Sequence, residues 1–297
     1  MKYFIYLIFL ILMSCSGRPD FNLKFQKVAG GFHFPEGPAW DGQSKLFVSN
    51  CYGDWLAVLT DSKIDTFVTV DSSQNCFRQT NGLTFHKDGY LYACDFGLGA
   101  IERFDRTGRC EIIEAGFNRP NDLAFGRNGN LYFTDPNTYD KNNPDGKVYQ
   151  YHFKIGKIML VADSLCFPNG IAFTRNGRYV YIAESAKNRV LKFKVENDGM
   201  LTDRQIFALM PGGDPDGIAL DVQGNVYVAH FGGAKIVVFD STGKKIASIP
   251  VPGKKPSNIE FAGPNLRTLY VTEDETNALY KAQVPIPGLP LSYQNKP

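Results

Sequence analysis

Six oxygen-bearing side chains recur at one phase of a repeat: Glu36, Asn81, Asn121, Asn169, Asp216 and Ser257, separated by 45, 40, 48, 47 and 41 residues. Each opens a segment of common design, such as PEGPAWDGQSKLFVSN from Pro35, PNDLAFGRNGNLYFTD from Pro120 and PDGIALDVQGNVYVAH from Pro215. A turn needing only a short hydrogen-bonding side chain accepts Asn, Asp or Ser alike. Glu36 fits that reading poorly, and so does a set made entirely of oxygen-bearing residues with only two carboxylates. Brought together, two carboxylates and two or three amide carbonyls form an oxygen shell of charge near −2, which suits a hard divalent cation such as Ca²⁺. Mg²⁺, Mn²⁺ and, less readily, Zn²⁺ are also compatible with such a shell. Zinc or copper sites favour His and Cys, and His33, His86, His152 and His230 show no ligand spacing. A cation with open positions polarises a carbonyl and acidifies water, and a neighbouring carboxylate can take the proton from that water. The chemistry in prospect is hydrolysis of an ester-like bond.

Such a shell requires elements that place one residue from each repeat on one axis. A period of about 40–50 residues with short alternating strands and Gly-bearing turns predicts a β-propeller. In the second unit GLTF is a strand, HKDG turns, YLYACD returns, and AIERFD and CEIIEA complete a four-stranded blade. Six units predict an all-β, six-bladed propeller around a central channel. The last unit runs out after ALYKAQV, so NLKFQKVA, residues 22–29, is expected to supply its outer strand and close the ring. The first two strands of a unit are antiparallel. The residues ending each second strand, Asn50, Asp95, Asp135, Glu184, His230 and Glu273, are therefore expected on the same end of the channel, with Asp95, Asp135 and Glu184 as further polar candidates.

Composition agrees with this architecture and narrows the function. The chain has 297 residues, a net charge of +2, 13% aromatic residues, 29 Gly and 17 Pro. Charges of both signs are interspersed, so no basic stripe points to nucleic acid. The start, MKYFIYLIFLILMSCSG, has a positive residue and a ten-residue apolar run, too short to span a bilayer and suited to an export signal. Cys15 after Ser14 resembles a bacterial lipobox. Residues 1–14 are then a signal peptide of lipoprotein type, 15–21 a linker, 22–285 the propeller and 286–297 a tail. Membrane contact is expected only through a lipid on Cys15, facing the periplasm, with a soluble exported protein as the alternative. Five further cysteines, at 51, 76, 94, 110 and 166, form no CxxC pair. One disulfide among them is possible, and the sequence does not choose it. No GxSxG elbow, Walker loop or HExxH is present.

The ordered set FPEGPAW, TNGLTF, RPNDLAFGRNGNLYFTDP, FPNGIAF and DPDGIALDVQGNVYVAHFGG resembles the gluconolactonase/regucalcin (senescence marker protein) family of six-bladed propellers over residues 25–285. The resemblance implies one divalent metal, most often Ca²⁺, near the top of the channel, with Glu36, Asn169 and Asp216 as ligands. It implies that Asn121 contacts substrate or metal, and that Asp216 is also the proton acceptor. Characterised members hydrolyse lactones, so the expected activity is ring opening of a lactone, a sugar lactone first. Asn81, Asn121 and Arg119 are candidates for binding that substrate. The sixth unit offers Ser257-Asn258 and is expected to supply no metal ligand. Two alternatives are hydrolysis of phosphoesters or organophosphates at the same metal and a non-catalytic metal-binding scaffold.

Overall fold

A computed structural model describes residues 19–290 apart from 54, 62 and 71–75. Residues 1–14 and Cys15 lie outside the described residues. Among these residues, twenty-four strands form six four-stranded antiparallel sheets, each in chain order from the channel outward for the first five. The inner strands are Pro35–Trp40, Thr80–Phe85, Leu123–Phe125, Pro168–Phe173, Asp214–Leu220 and Pro256–Ala262, and they define blades 1 to 6. The only helix among the described residues is a single 3-10 turn, Ser185–Lys187.

Blade 6 is closed by the other end of the chain. Gln26–Gly30 pairs antiparallel with Ala278–Gln283, with Gln26 opposite Lys281 and Gly30 opposite Ala278. The expected closing strand is present, shifted toward its C-terminal part. Residues 286–290, expected as tail, are tied to the ring. Val222 N donates to Pro287 O at 3.0 Å, Gly288 N to Leu266 O at 2.7 Å and Leu289 N to Leu220 O at 2.8 Å.

A four-stranded sheet cannot bury both faces by itself, so the hydrophobic core lies between blades. Six clusters of buried apolar side chains occupy the six seams. Tyr92, Tyr132, Tyr181 and Tyr227 repeat at one position of the second strands and are almost completely buried. Burying such a ring needs a partner for its hydroxyl. Tyr92 OH donates to Asp88 Oδ2 at 2.8 Å and Tyr227 OH to Asp221 Oδ2 at 3.3 Å, each Asp lying in the turn that starts the strand. The recurrent polar turn thus also satisfies the recurrent aromatic core.

Cys76 and Cys110 are joined, with Cα atoms 5.9 Å apart, and Cys51, Cys94 and Cys166 are free and buried. The bond ties the segment leading into blade 2 to the first residue of that blade's outer strand.

Candidate active site

The recurring oxygen-bearing residues sit inside the inner strands, not ahead of them as the repeat suggested, except Asn121, which precedes Leu123 by two. In five blades the pairing of inner and second strands shifts register just after the motif. Such a bulge re-aims side chains, and here it accompanies the turn of the motif residue toward the axis. The glycine that follows allows the strands to converge. A Cβ on Gly37, whose φ is +47°, would lie 2.1 Å from Asn81 O, and one on Gly170 would lie 2.2 Å from Asp216 O. Blade 3 has Asp122 at that position instead. Its carboxylate accepts from Leu123 N at 3.0 Å and, across the seam, from Ile171 N at 3.1 Å.

Glu36, Asn81, Asn121, Asn169 and Asp216 all line one cavity of about 340 Å³, and Arg119 lines it too. Ser257 does not. Its hydroxyl donates to Pro35 O at 2.8 Å and joins blade 6 to blade 1. A second cavity of about 160 Å³, lined in part by Asp122, Glu260 and Arg127, shares no lining residue with the first.

The electrostatics of the upper cavity are those of a site lacking a positive charge. Burial pushes the Glu36 carboxyl up to about 8. Burial, then the charges of Glu36 and Asp274, hold Asp216 well above the carboxylate range. Asp274, from blade 6, is pushed up to about 9 by burial and by Glu36. Asn81 Oδ1 and Asp216 Oδ1 are buried without a hydrogen-bond partner. Buried polar atoms are ordinarily paired, and crowded carboxylates without a cation are costly. The donor set fits a hard divalent cation, which would satisfy both deficits. Among the described residues no three His, Cys, Asp or Glu side chains converge as a metal cluster, so a cation held there would draw on amide oxygens as well.

Comparison with known proteins places this geometry. The SMP-30/gluconolactonase/LRE-like region matches residues 34–274. The chain belongs to that family. A lactonase (Lactonase drp35) of Staphylococcus haemolyticus is 28% identical over 232 residues, 74% of this chain and 70% of the relative. A pentonolactonase of Haloferax volcanii is 26% identical over 245 residues, 80% of each chain. The solved gluconolactonase of Xanthomonas campestris superposes with a TM-score of 0.77 at 27% identity, covering 89% of this chain and 90% of its own.

Within this family member, the residues ending the second strands, expected as further polar candidates, do not line the cavity. They hold the loops that lead into the inner strands. Asn50 Oδ1 accepts from His33 N at 2.5 Å, Asp95 from Arg78 N at 2.5 Å and Leu98 N at 2.7 Å, and Asp135 from Arg119 N at 2.8 Å. Glu184 accepts from Cys166 N at 2.8 Å and pairs with Arg189. Glu273 accepts from Lys255 N at 2.7 Å, and His230 Nε2 meets Met210 O at 3.2 Å. The next residue in the chain faces the cavity instead: Cys51, Phe96, Ser185 and Phe231 all line it.

Sequence reasoning missed Asp214 and a collar of aromatic rings at the cavity, Phe34, Tyr52, Phe96, Tyr139, Phe167 and Phe231, and it missed Asp274, whose charge acts on Glu36 and Asp216. Arg119 stands in this collar, its guanidinium 5.3 Å from the centre of the Phe96 ring. Phe34 and Phe167 occupy left-handed backbone, φ 65° and 56°. That conformation costs a bulky residue on the order of 1–3 kcal/mol. The signal available in the sequence was the pair FPEG and FPNG, in which Phe precedes the motif proline.

Proposed function

We propose that this protein is a metal-dependent lactone hydrolase whose first substrates are sugar lactones. The observation that carries the reading is the set of unpartnered buried oxygens of Asp216 and Asn81 beside raised carboxyls. It gains weight from relatives that are themselves a lactonase, a pentonolactonase and a gluconolactonase. Glu36, Asn169 and Asp216, with Asn121, would hold one divalent cation, Ca²⁺ before Zn²⁺, Mn²⁺ or Mg²⁺. A cation bound there supplies the positive charge that polarises a carbonyl oxygen.

The chain's own residues supply the rest. Asp216 takes the proton as water adds to the lactone carbonyl carbon. The ring C–O bond then breaks, the ring oxygen leaves as an alcohol with that proton, and the product is the open hydroxy acid. Asn81 and Asn121 orient ring oxygens, and Arg119 meets the polar groups at the mouth. The aromatic collar excludes water around the reacting bond, which strengthens each of these contacts.

The test is hydrolysis of glucono-δ-lactone and a panel of aldonolactones by the fragment 16–297, metal-stripped and then resupplied with each cation. Turnover above the spontaneous rate that returns with metal supports the reading. A folded protein that binds metal and hydrolyses no lactone sinks it.

We further propose that the protein is exported and lipidated at Cys15. The Cys76–Cys110 bond supports export, because disulfides persist in oxidising compartments. Labelling with radioactive palmitate checks this: Cys15→Ala should abolish incorporation, and equal labelling of both proteins rules the anchor out.

A further inference from the structure

At the site end of the propeller, the loops between second and third strands are short in five blades. They run from Asn50 to Trp55, Asp95 to Ala100, Glu184 to Arg189, Phe231 to Lys235 and Glu273 to Ala278. Blade 3 breaks this pattern. Its loop covers residues 136–145, ten residues between Asp135 and Gly146. Departures from a repeat on a functional face are where loops carry function.

This loop is built as a fixed wall. The Asp145 carboxylate accepts from Thr138 N at 3.0 Å, Thr138 Oγ1 at 2.7 Å, Asn137 Nδ2 at 3.0 Å and Asn143 Nδ2 at 3.1 Å. Cys166 Sγ donates to Lys141 O at 3.3 Å and fastens the loop to blade 4. From it Tyr139 crosses blade 4, its ring edge-on to Phe167 with centroids 5.1 Å apart. Its hydroxyl donates to Asp214 Oδ2 at 2.7 Å, at the start of the blade 5 inner strand. Asp214 is itself held, because its Oδ1 accepts from Asn188 Nδ2 at 2.9 Å. Tyr139, Phe167 and Asp214 all line the cavity, yet Tyr139 is 56% exposed. A large ring left half in solvent on a braced loop, with its hydroxyl tied across two seams, serves the cavity more than the core.

We propose that Tyr139, latched to Asp214, is the specificity-determining residue of the mouth: it walls the cavity over blade 4 and restricts the substrate to a single-ring lactone. The proposal rests on the lactone-hydrolase reading above. The latch acts by exclusion, since a substituent extending past the lactone ring over blade 4 meets the Tyr139 ring. Discrimination by a fixed wall is a difference in transition-state binding between the admitted and the excluded substrate.

The test compares glucono-δ-lactone with the lactone of a disaccharide aldonic acid, in wild type, Tyr139→Phe and Tyr139→Ala, all metal-loaded. The wild type is expected to favour the single-ring lactone. Tyr139→Ala should raise the ratio of kcat/KM for the disaccharide lactone over the single-ring one by about tenfold or more, the scale of one steric contact in a pocket. The change should fall on KM for the larger substrate. Tyr139→Phe keeps the ring and removes the latch, so its ratio should lie between the other two, and it keeps the proposal open to test if the alanine protein does not fold. A wild type that hydrolyses both lactones equally, or ratios that move in neither variant, overturns the proposal while leaving lactone hydrolysis standing. A wild type that neither binds nor hydrolyses either lactone removes both readings together.

Discussion

At the scale of single residues, Asp216 carries the sharpest conflict between stability and function. Its carboxyl is buried beside Glu36 and Asp274 and has an oxygen without a partner. Replacing it with Asn keeps the shape, removes an ionisable group that burial and neighbouring carboxylates disfavour and removes the proposed proton acceptor. We expect Asp216→Asn to lower kcat by about 10²–10⁴-fold, the usual contribution of a positioned base. The metal-stripped variant should at the same time melt above the metal-stripped wild type, because functional sites hold strain at the expense of stability. Steady-state kinetics and calorimetry on the same preparations check both; a lower melting temperature would mark Asp216 as a structural residue. Glu102 poses a different residue-scale question, away from the cavity. It is fully buried in the third strand of blade 2, beside the Asp95 carboxylate. Burial, then the charge of Asp95, hold its carboxyl well above the ordinary value of 4.5. The folded state therefore binds a proton that the unfolded chain releases above about pH 4.5. Its stabilising effect is complete below that pH and is lost as pH rises toward the folded value, by up to about 1.4 kcal/mol per pH unit. Glu102→Gln should unfold at higher denaturant concentration than wild type at pH 7, with the gap narrowing at pH 5. Parallel urea curves with a constant gap at both pH values would show that Glu102 does not titrate on unfolding.

At the scale of elements, the inner ring was legible because one phase of the repeat recurs six times. The second rim was misplaced by one residue. The last residue of a strand turns back to hold the incoming loop, as Asp135 does for Arg119 N, and its successor faces the cavity. Spacing cannot show that turn, because it depends on where the neighbouring loop leaves an N–H unpaired. Tyr139 was invisible for the opposite reason: it belongs to the one loop that breaks the repeat. The 48-residue interval between Asn121 and Asn169, longest of the five, was its only trace. The disulfide also lay beyond the sequence, since five cysteines permit many pairings and only blade 2 brings Cys76 beside Cys110. Closing a loop with a sequence separation of 34 stabilises by about 3–4 kcal/mol on the chain-entropy account. The Cys76→Ser, Cys110→Ser double variant should therefore melt lower by on the order of 10 °C. It should also slow turnover, because the segment from Cys76 leads directly through Arg78 and Gln79, both held by Asp95, to Asn81. A thermal scan of oxidised and reduced wild type beside the variant checks this, and identical midpoints would show that the bond does not brace the blade.

At the scale of the whole molecule, a propeller has no core of its own apart from its seams, so every blade depends on the ring being shut. The seam between blades 6 and 1 is sealed by three separate devices. Gln26–Gly30 completes the blade 6 sheet, and Phe32, stacked on Trp55 at 5.5 Å, fills the apolar cluster beside it. Ser257 adds the hydrogen bond to Pro35 O that joins the inner strands directly at the level of Glu36. The closing strand also covers Ala278–Gln283, which would otherwise present an open edge. Upstream of it, Phe21, Leu23 and Phe25 pack against the cluster between blades 5 and 6. A chain beginning at Gly31 therefore loses one strand of a sheet, the cover of an edge and the packing of a seam at once. It should unfold at markedly lower denaturant concentration than a chain beginning at Pro19, and it should associate through the exposed edge. Because Glu36 and Asp216 come from different blades, opening the ring should also weaken the proposed metal site, although every proposed ligand is still present. Light scattering, urea denaturation and calorimetric titration of Ca²⁺ into both chains separate these effects. A monomeric Gly31 chain with an unchanged midpoint and unchanged metal affinity would mean that the five complete blades hold the site without closure.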